Sequence, residues 1–168
     1  GEPEMVMAMT GNYLRDIQAE DFGAILIRFK NGAVGIVEGT ACVYPKNLEE
    51  TLSIFGETGA AVIGGLAVNR VETWNFAQPA GQDKRVAALA GTDPKDVYGS
   101  GHNALYANYI GAVNSDTQPL VSGREGIKAM KIVLAAYKSQ KTKQAVDFDS
   151  LKFAATDMAD GDVRYRRP

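Results

Sequence analysis

The sequence predicts an α+β fold, in which helices cover one face of a large, mostly antiparallel open sheet and leave the other face free. From residue 4 to residue 76, five or six short runs of strand-forming residues alternate with tight-turn residues, a pattern typical of antiparallel sheets. From residue 102 onward, apolar residues recur with the 3.6-residue period of amphipathic helices. A block of strands followed by helices is typical of the α+β class.

The central element is a predicted hairpin around Asn31-Gly32, which lies between two runs of strand-forming residues. An Asn-Gly pair in this position predicts a two-residue type I′ turn, because both central residues of that turn need positive φ angles. Such a turn fixes the cross-strand register and places one set of partners on a core face. The predicted pairs are Phe29 with Val34, Ile27 with Ile36, and Ile25 with Glu38.

The second face of this hairpin is small and partly apolar. A sheet face of that kind often meets another layer or another subunit, so this face is a candidate contact surface. An ordinary, half-solvated face is the open alternative. The residues predicted on this face are Ala24, Leu26, Arg28, Gly35, Val37 and Gly39.

The remaining elements follow from periodicity and turn residues. Further strands are predicted at residues 4–12, 51–55, 60–63 and 67–76, with a short extended segment at 145–148. Helices are predicted at residues 102–115 and 124–141, and Ser122 and Glu125 form a predicted capping box before the second helix. Residues 78–100 form a long connection in which 84–91 could be a short helix. The residues expected on the inward face of the second helix are Ile127, Met130, Val133, Leu134 and Tyr137.

Composition narrows the classes of function. The 168 residues carry a net charge of −2 without a basic stripe, which argues against nucleic acid or an anionic membrane surface as the main partner. No apolar run approaches the roughly 18 residues that a membrane span needs. The single cysteine, Cys42, excludes an internal disulfide and is compatible with a reducing cytoplasm. One histidine and one cysteine cannot build a zinc site of the usual kind, so no metal site is predicted.

Two places could carry binding chemistry. His102 lies at the start of a predicted helix, where a neutral imidazole could hydrogen-bond a ligand beside free backbone amides, although a capping or surface histidine is the alternative. Tyr44, Lys46 and Asn47 form a polar cluster at the end of a predicted strand, where loops often bind ligands. No spacing isolates a catalytic carboxylate pair or a dinucleotide-binding glycine loop, and the Gly56–Gly59 pair is interpreted as a tight turn.

Four segments of the chain together form a recognisable pattern: DFGAILIRFKNGAVGIVEGT, YPKNLEETLSIFGETGAAVIGG, VYGSGHNALYANYIGAV and SGREGIKAMKIVLAAYKS. They resemble the C-terminal domain of the Gfo/Idh/MocA oxidoreductases, over about residues 4–156. The likeness is strongest to the members that oxidise nucleotide-linked N-acetyl sugars, such as UDP-N-acetylglucosaminuronate 3-dehydrogenases.

This resemblance implies a two-domain parent protein with an NAD(P)-binding Rossmann domain on the N-terminal side. The family's catalytic lysine lies in that Rossmann domain, and its Asp-x-x-x-His pair lies on a helix just before the point where this chain begins. The resemblance therefore implies no catalytic residue, no bound cofactor and no turnover in this chain alone. The chain begins without Met and is interpreted as a piece of a longer polypeptide. Residues 1–156 would form the substrate-binding and oligomerisation domain, and residues 157–168 a mobile or partner-docked tail.

The resemblance also implies specific contacts. Tyr44, Lys46 and His102 would contact a sugar or nucleotide-sugar substrate, with Asn47 and Tyr98 as lesser candidates, and Lys46 would meet a diphosphate or carboxylate as a point charge. The open sheet face would form a cytoplasmic homodimer or a tetramer. A non-enzymatic, stand-alone dimerisation module is the alternative function.

Overall fold

The computed structural model describes residues 1–77, 86, 101–152 and 156. Seven strands and two helices lie in these ranges. The predicted helix at 84–91, apart from residue 86, and the tail at 157–168 lie outside the described residues. In chain order, the elements are β1 (Pro3–Gly11), β2 (Phe22–Phe29), β3 (Val34–Thr40), β4 (Leu52–Gly56), β5 (Gly59–Gly64), β6 (Arg70–Phe76), α1 (Gly101–Asn114), α2 (Gly123–Thr142) and β7 (Val146–Asp147).

These elements divide between two compact units. The first unit, residues 1–42 and 121–168, contains a four-stranded sheet of order β3-β2-β1-β7 together with α2. The second unit, residues 43–120, contains a three-stranded sheet of order β4-β5-β6 together with α1. All described strand pairs are antiparallel, which confirms the α+β class. The strands are shared between two sheets, whereas the sequence predicted one large sheet.

The central hairpin forms, but its turn and register differ from the prediction. The amide of Phe29 donates to the carbonyl of Ala33 at 2.9 Å, so the connection comprises the three residues Lys30, Asn31 and Gly32. Among these three loop residues, only Gly32 has a positive φ, of +85°, as in a three-residue loop whose last residue is left-handed. The pairs are therefore Arg28 with Val34, Ile27 with Gly35, Leu26 with Ile36, and Ile25 with Val37.

This shift of one residue moves every side chain of β3 to the opposite face. Gly35, Val37 and Gly39, which the sequence placed on the open face, lie on the face that packs against α2. A Cβ atom built on Gly35 would lie 3.3 Å from the Phe29 ring. Ala24, Leu26 and Arg28 keep their predicted face, and their neighbours in β3 are Glu38, Ile36 and Val34.

The core of the first unit lies between the four-stranded sheet and α2. Val6 of β1, Ile27 of β2 and Val146 of β7 pack against Ala135 and Ala136 of the helix. The large apolar residues expected to point inward, Ile127, Met130 and Val133, are instead substantially exposed. The sheet contacts the stripe of small side chains, which lets the helix backbone approach closely.

Side chains of α2 also accept hydrogen bonds from backbone amides of β1 that lie beyond the two-residue strand β7. The buried Ser139 hydroxyl accepts a hydrogen bond from the Ala8 amide at 3.0 Å and donates to the Gln144 carbonyl at 2.7 Å. The Gln140 side chain accepts the Thr10 amide at 3.2 Å. Side chains of α2 thus take the place of a longer β7 on an edge that would otherwise present free amides.

The start of α2 does not form the predicted capping box. The Ser122 side chain makes no capping hydrogen bond, and its backbone carbonyl accepts the Glu125 amide at 3.0 Å. The Glu125 carboxylate lies 3.1 Å from the Lys128 ammonium, its neighbour three residues along the helix. This ion pair competes with the hydrogen bond from the Ser122 amide to the Glu125 carboxylate that a capping box requires.

Candidate functional site

The loop after β3 presents three of the predicted substrate contacts to solvent. Tyr44 is 90% exposed and forms a cis peptide bond with Pro45. Lys46 and Asn47 follow immediately and are also exposed. At the far end of the loop, the Glu50 amide donates to the Gly65 carbonyl at 2.9 Å. The structure therefore places a phenol, an ammonium and a carboxamide within four consecutive residues.

The other predicted contacts lie elsewhere along the chain. His102 is the second residue of α1, at the helix start that the sequence predicted, and it is exposed. Tyr98 lies outside the described residues. The four described candidates all belong to the second unit, three on one loop and His102 on a helix.

α1 keeps an exposed apolar stripe in the described structure. Ala112 is its one buried residue among those described, while the aromatic and aliphatic side chains of the stripe remain about half exposed. Helix formation at these positions is confirmed, since the helix spans Gly101–Asn114. The exposed stripe residues are Leu105, Tyr106, Tyr109, Ile110 and Val113.

Asp21 is an organising residue that the sequence analysis did not identify. Its side chain is only 2% exposed, and its carboxylate accepts the backbone amides of Tyr13, Leu14 and Arg15 at 2.8, 2.6 and 2.7 Å. Burial opposes ionisation of this carboxyl, but the three amide hydrogen bonds outweigh it and lower the pKa of Asp21 to about 2. The carboxylate therefore stays ionised and fixes the connection between β1 and β2.

The backbone of Asp21 fixes the end of β3 as well. Its carbonyl accepts the Ala41 amide at 2.7 Å and the Thr40 hydroxyl at 3.2 Å. The Arg15 guanidinium, on the loop that Asp21 holds, donates to the Ala41 carbonyl at 2.7 Å. Sequence patterns gave little signal for this role, because an aspartate at the start of a strand is common at turns.

A second polar pair lies nearby in the first unit. The Tyr137 hydroxyl of α2 donates a hydrogen bond to the Glu20 carboxylate. Burial of the phenol, followed by this hydrogen bond and the negative charge of Glu20, raises the pKa of Tyr137 to about 12. The pair joins the helix to the residue that precedes Asp21.

The open face of the four-stranded sheet is rich in exposed apolar side chains. β1 and β2 contribute Met7, Met9 and Leu26, which alternate with the residues of the core face. Arg28 and Glu4 form an exposed salt bridge at 2.9 Å. From β3 the exposed apolar residues of this face are Val34 and Ile36, the latter 76% exposed.

The described residues show neither a metal-binding cluster nor a membrane-spanning helix. Within those ranges, no group of three or more His, Cys, Asp or Glu side chains is arranged to hold a metal ion. In the same part of the chain, neither helix combines the length and apolar character that crossing a bilayer requires.

Comparison with known proteins identifies the domain. Residues 1–148 match the model of the oxidoreductase family C-terminal α/β domain, GFO_IDH_MocA_C. No curated protein sequence matches the chain.

Among solved structures, two dehydrogenases share more than a third of their aligned residues with this chain. The WlbA dehydrogenase from Bordetella pertussis, solved with NADH and UDP-GlcNAcA, is 37% identical with a TM-score of 0.76 over 88% of this chain. The WlbA dehydrogenase from Chromobacterium violaceum, solved with the same two molecules, is 35% identical with a TM-score of 0.74, also over 88% of this chain. Levoglucosan dehydrogenase, at 21% identity, a TM-score of 0.69 and 88% of this chain against 45% of its own, shares the fold.

The chain spans only 42% and 40% of the lengths of the two WlbA enzymes. The family match nevertheless covers most of the present chain, from its first residue to the end of the core. The chain therefore belongs to the Gfo/Idh/MocA oxidoreductase family and corresponds to its C-terminal α/β domain.

Proposed function

We propose that this chain is the substrate-binding and oligomerisation domain of an NAD(P)-dependent oxidoreductase that acts on the CH–OH group of a sugar or nucleotide sugar. The observation that carries the proposal is the similarity to the two WlbA dehydrogenases, whose structures contain NADH and UDP-GlcNAcA. Because the chain spans about two fifths of those enzymes, the activity would belong to a longer protein that contains this domain. We propose a cytoplasmic location, supported by the single free cysteine.

The exposed loop at Tyr44, Lys46 and Asn47 supports a role in binding the substrate. An exposed lysine supplies a point charge for a diphosphate or a carboxylate, and both groups occur in a uronate-type nucleotide sugar. The neighbouring phenol and carboxamide provide directional hydrogen bonds to sugar hydroxyls. His102, at the start of α1, and Tyr98 are proposed as further contacts.

In the whole protein, the nicotinamide would supply hydride-transfer chemistry: oxidation removes a hydride from a sugar carbinol carbon, and reduction returns it to the corresponding carbonyl carbon. The residues of this chain would bind and orient the sugar nucleotide and help to exclude water from it. The base that takes the hydroxyl proton would be supplied by another part of the whole protein.

Calorimetric titration of the full-length gene product with UDP-GlcNAcA tests this role of the loop. Lys46→Ala removes the proposed point charge and should weaken binding by about 10- to 150-fold, since a charged hydrogen bond contributes about 1.5–3 kcal/mol. Lys131→Ala is the matched control, because Lys131 is an exposed lysine on α2 in the first unit. Equal affinity of the two variants would contradict a role for Lys46 in substrate binding.

We further propose that the open sheet face forms a homodimer, or an interface within a tetramer. Five apolar side chains lie half to three-quarters exposed on this face, and burying the exposed part of each one would contribute about 1–2 kcal/mol. The corrected register moves the proposed interface within β3 from Gly35, Val37 and Gly39 to Val34, Ile36 and Glu38. Ala24, Leu26 and Arg28 of β2 remain in it.

Two neighbouring residues of β3 provide a matched test of this interface. Ile36→Lys puts a charge on the open face and should yield a monomer of 18.0 kDa in sedimentation. Val37→Lys puts the same charge on the opposite face and should leave the oligomer intact, with circular dichroism reporting that each variant is folded. If Ile36→Lys stays oligomeric, the proposed interface is wrong.

The same open face favours the second candidate function, a stand-alone dimerisation module. The two candidate functions differ in ligand binding. If the domain serves only as a dimerisation module, a protein that contains it should not bind nucleotide sugars. A full-length product that dimerises and shows no heat of binding with UDP-GlcNAcA would favour the module.

A further inference from the structure

A pocket of about 400 Å³ lies between α2 and one end of the four-stranded sheet, entirely within the first unit. It is distinct from the loop and the helix that carry the proposed substrate contacts, which belong to the second unit. Its walls are mainly apolar and include Ile25, Val37, Val133 and Ala136.

The floor of the pocket is a row of three small residues across the sheet. Thr10 pairs with Gly23, and Gly23 pairs with Gly39. Neither glycine has a positive φ, so the backbone conformation does not require glycine at either position. Glycine inside a strand weakens it and often marks a place where a ligand or another backbone approaches closely.

Gly35 is the other glycine of β3 on the core face, and it has no comparable open space above it. A Cβ atom on Gly35 would touch Phe29 and Ile27, which already fill the space above it. A Cβ atom on Gly39 would find no atom within 4 Å. The absent side chain at Gly39 therefore leaves open volume. A Cβ atom on Gly23 would lie 3.4 Å from the Thr10 methyl group, an ordinary contact, so a planar ring would lie over Gly39 and against Gly23 and this methyl group.

The polar end of the pocket has hydrogen-bonding capacity to spare. The Thr10 side-chain oxygen is buried without a hydrogen-bond partner, in a residue that is 8% exposed. The Glu20 carboxylate accepts a hydrogen bond from Tyr137, and a carboxylate can accept several. Asp21 also lines the pocket, but three backbone amides already occupy its carboxylate.

We propose that this pocket binds a small aromatic molecule with a primary ammonium group. The ring would lie over Gly39 and against Gly23, between the apolar walls. The ammonium would donate to the Glu20 carboxylate and to the Thr10 hydroxyl, since a buried hydroxyl and a carboxylate beside apolar walls favour a charged donor. This site does not rest on the proposed function, and its test requires no nucleotide sugar.

The test is a titration of the ¹⁵N-labelled chain with benzylamine, benzyl alcohol and toluene, followed by amide chemical shifts. Benzylamine should give saturable shifts at Thr10, Gly23 and Gly39, and benzyl alcohol should bind roughly tenfold more weakly. Toluene should bind most weakly. Absence of saturable shifts at these amides, or equal affinity of all three probes, would overturn the proposal.

Three variants separate the parts of the site. Gly39→Val fills the floor and should abolish binding of all three probes. Glu20→Gln should remove most of the preference for benzylamine over benzyl alcohol, whereas Glu38→Gln, on the opposite face of the sheet, should leave it unchanged. Thr10→Val keeps the shape and should weaken both polar probes without affecting toluene, so the proposal stays testable if Gly39→Val does not fold. Unchanged preference in Glu20→Gln would refute the role of the carboxylate.

Discussion

Ser139 provides a quantitative test of how α2 is fastened to the sheet. Its side chain is 1% exposed, and its hydroxyl bridges the Ala8 amide of β1 and the Gln144 carbonyl that follows the helix. In Ser139→Ala both partners lose their hydrogen bond. The loss of free energy is larger at the Ala8 amide, because the helix prevents water from taking the place of the Ser139 hydroxyl.

The expected cost follows from these two contacts. An unsatisfied buried amide costs about 1–3 kcal/mol, and the more exposed carbonyl of Gln144 loses about 0.5–1.5 kcal/mol. The higher helix propensity of alanine returns about 0.5 kcal/mol. We therefore expect Ser139→Ala to lower the free energy of unfolding by about 1–4 kcal/mol, a large part of the total stability of a small domain.

Urea denaturation followed by helical circular dichroism measures this change, and hydrogen exchange of the Ala8 amide localises it. Thr142→Ala is the matched control, because the Thr142 hydroxyl on the same helix makes an exposed hydrogen bond to the Lys138 carbonyl at 2.9 Å. That control should change the free energy of unfolding by less than about 0.5 kcal/mol. Equal midpoints for the two variants, with unchanged exchange at Ala8, would refute the fastening role of Ser139.

Three further predictions concern charge and backbone. The pKa of Asp21 is lowered from 3.8 to about 2, so the stability it contributes is complete above pH 4 and is lost as the pH falls toward 2. Melting temperatures measured across this range should fall in the wild type and should change less in Asp21→Asn. The pKa of Tyr137 is raised to about 12, so Tyr137→Phe should remove a tyrosine step near pH 12 from an ultraviolet titration and should cost about 1 kcal/mol below pH 10. An unchanged titration would disprove the assignment. Gly32→Ala should cost about 1 kcal/mol in urea denaturation because its φ is +85°, whereas no cost would rule out the left-handed turn.

Local patterns in the sequence were sufficient to place most elements. Alternation and turn residues located β1 to within one residue at each end, and the change to helical periodicity located α1 and α2 equally well. These signals are local, because a strand or a helix is defined by neighbours along the chain. The family was also recognisable from the sequence, and the match over residues 1–148 confirms it.

The register of the hairpin shows where local patterns fail. Asn31-Gly32 closes the loop, but Lys30 joins it, and a glycine in the left-handed region serves a three-residue loop as well as a type I′ turn. One residue of difference reversed the assignment of Gly35, Val37 and Gly39. The choice between the two loops depends on packing, since the observed register sets Gly35 beneath Phe29.

Contacts between distant parts of the chain could not be predicted from local patterns, because they also depend on packing. The division of the strands between two sheets depends on pairing partners that no single segment encodes. α2 packs through Ala135, Ala136 and Ser139, although its larger apolar residues gave the stronger pattern. Asp21 fixes the ends of β1 and β3 by accepting six hydrogen bonds and donating one, and its partners lie on both sides of it in the chain, among them Tyr13 and Thr40.

The substrate contacts on the loop at Tyr44, Lys46 and Asn47 remain predictions, as does that of His102. Their exposure and their common unit are compatible with a binding role, and their chemistry suits a charged sugar nucleotide. Tyr98 lies outside the described residues and stays a prediction from the family resemblance alone.

The most direct measurement is the reduction of NAD⁺ and of NADP⁺ by the full-length gene product, followed by nicotinamide absorbance, with UDP-GlcNAcA as substrate and the 168-residue chain as control. We predict reduction of one of the two nicotinamides by the full-length product that depends on the nucleotide sugar, and none by the chain alone. Turnover by the chain alone, or no turnover by the full-length product with any nucleotide sugar, would contradict the assignment of this chain as the substrate-binding half of a nucleotide-sugar oxidoreductase.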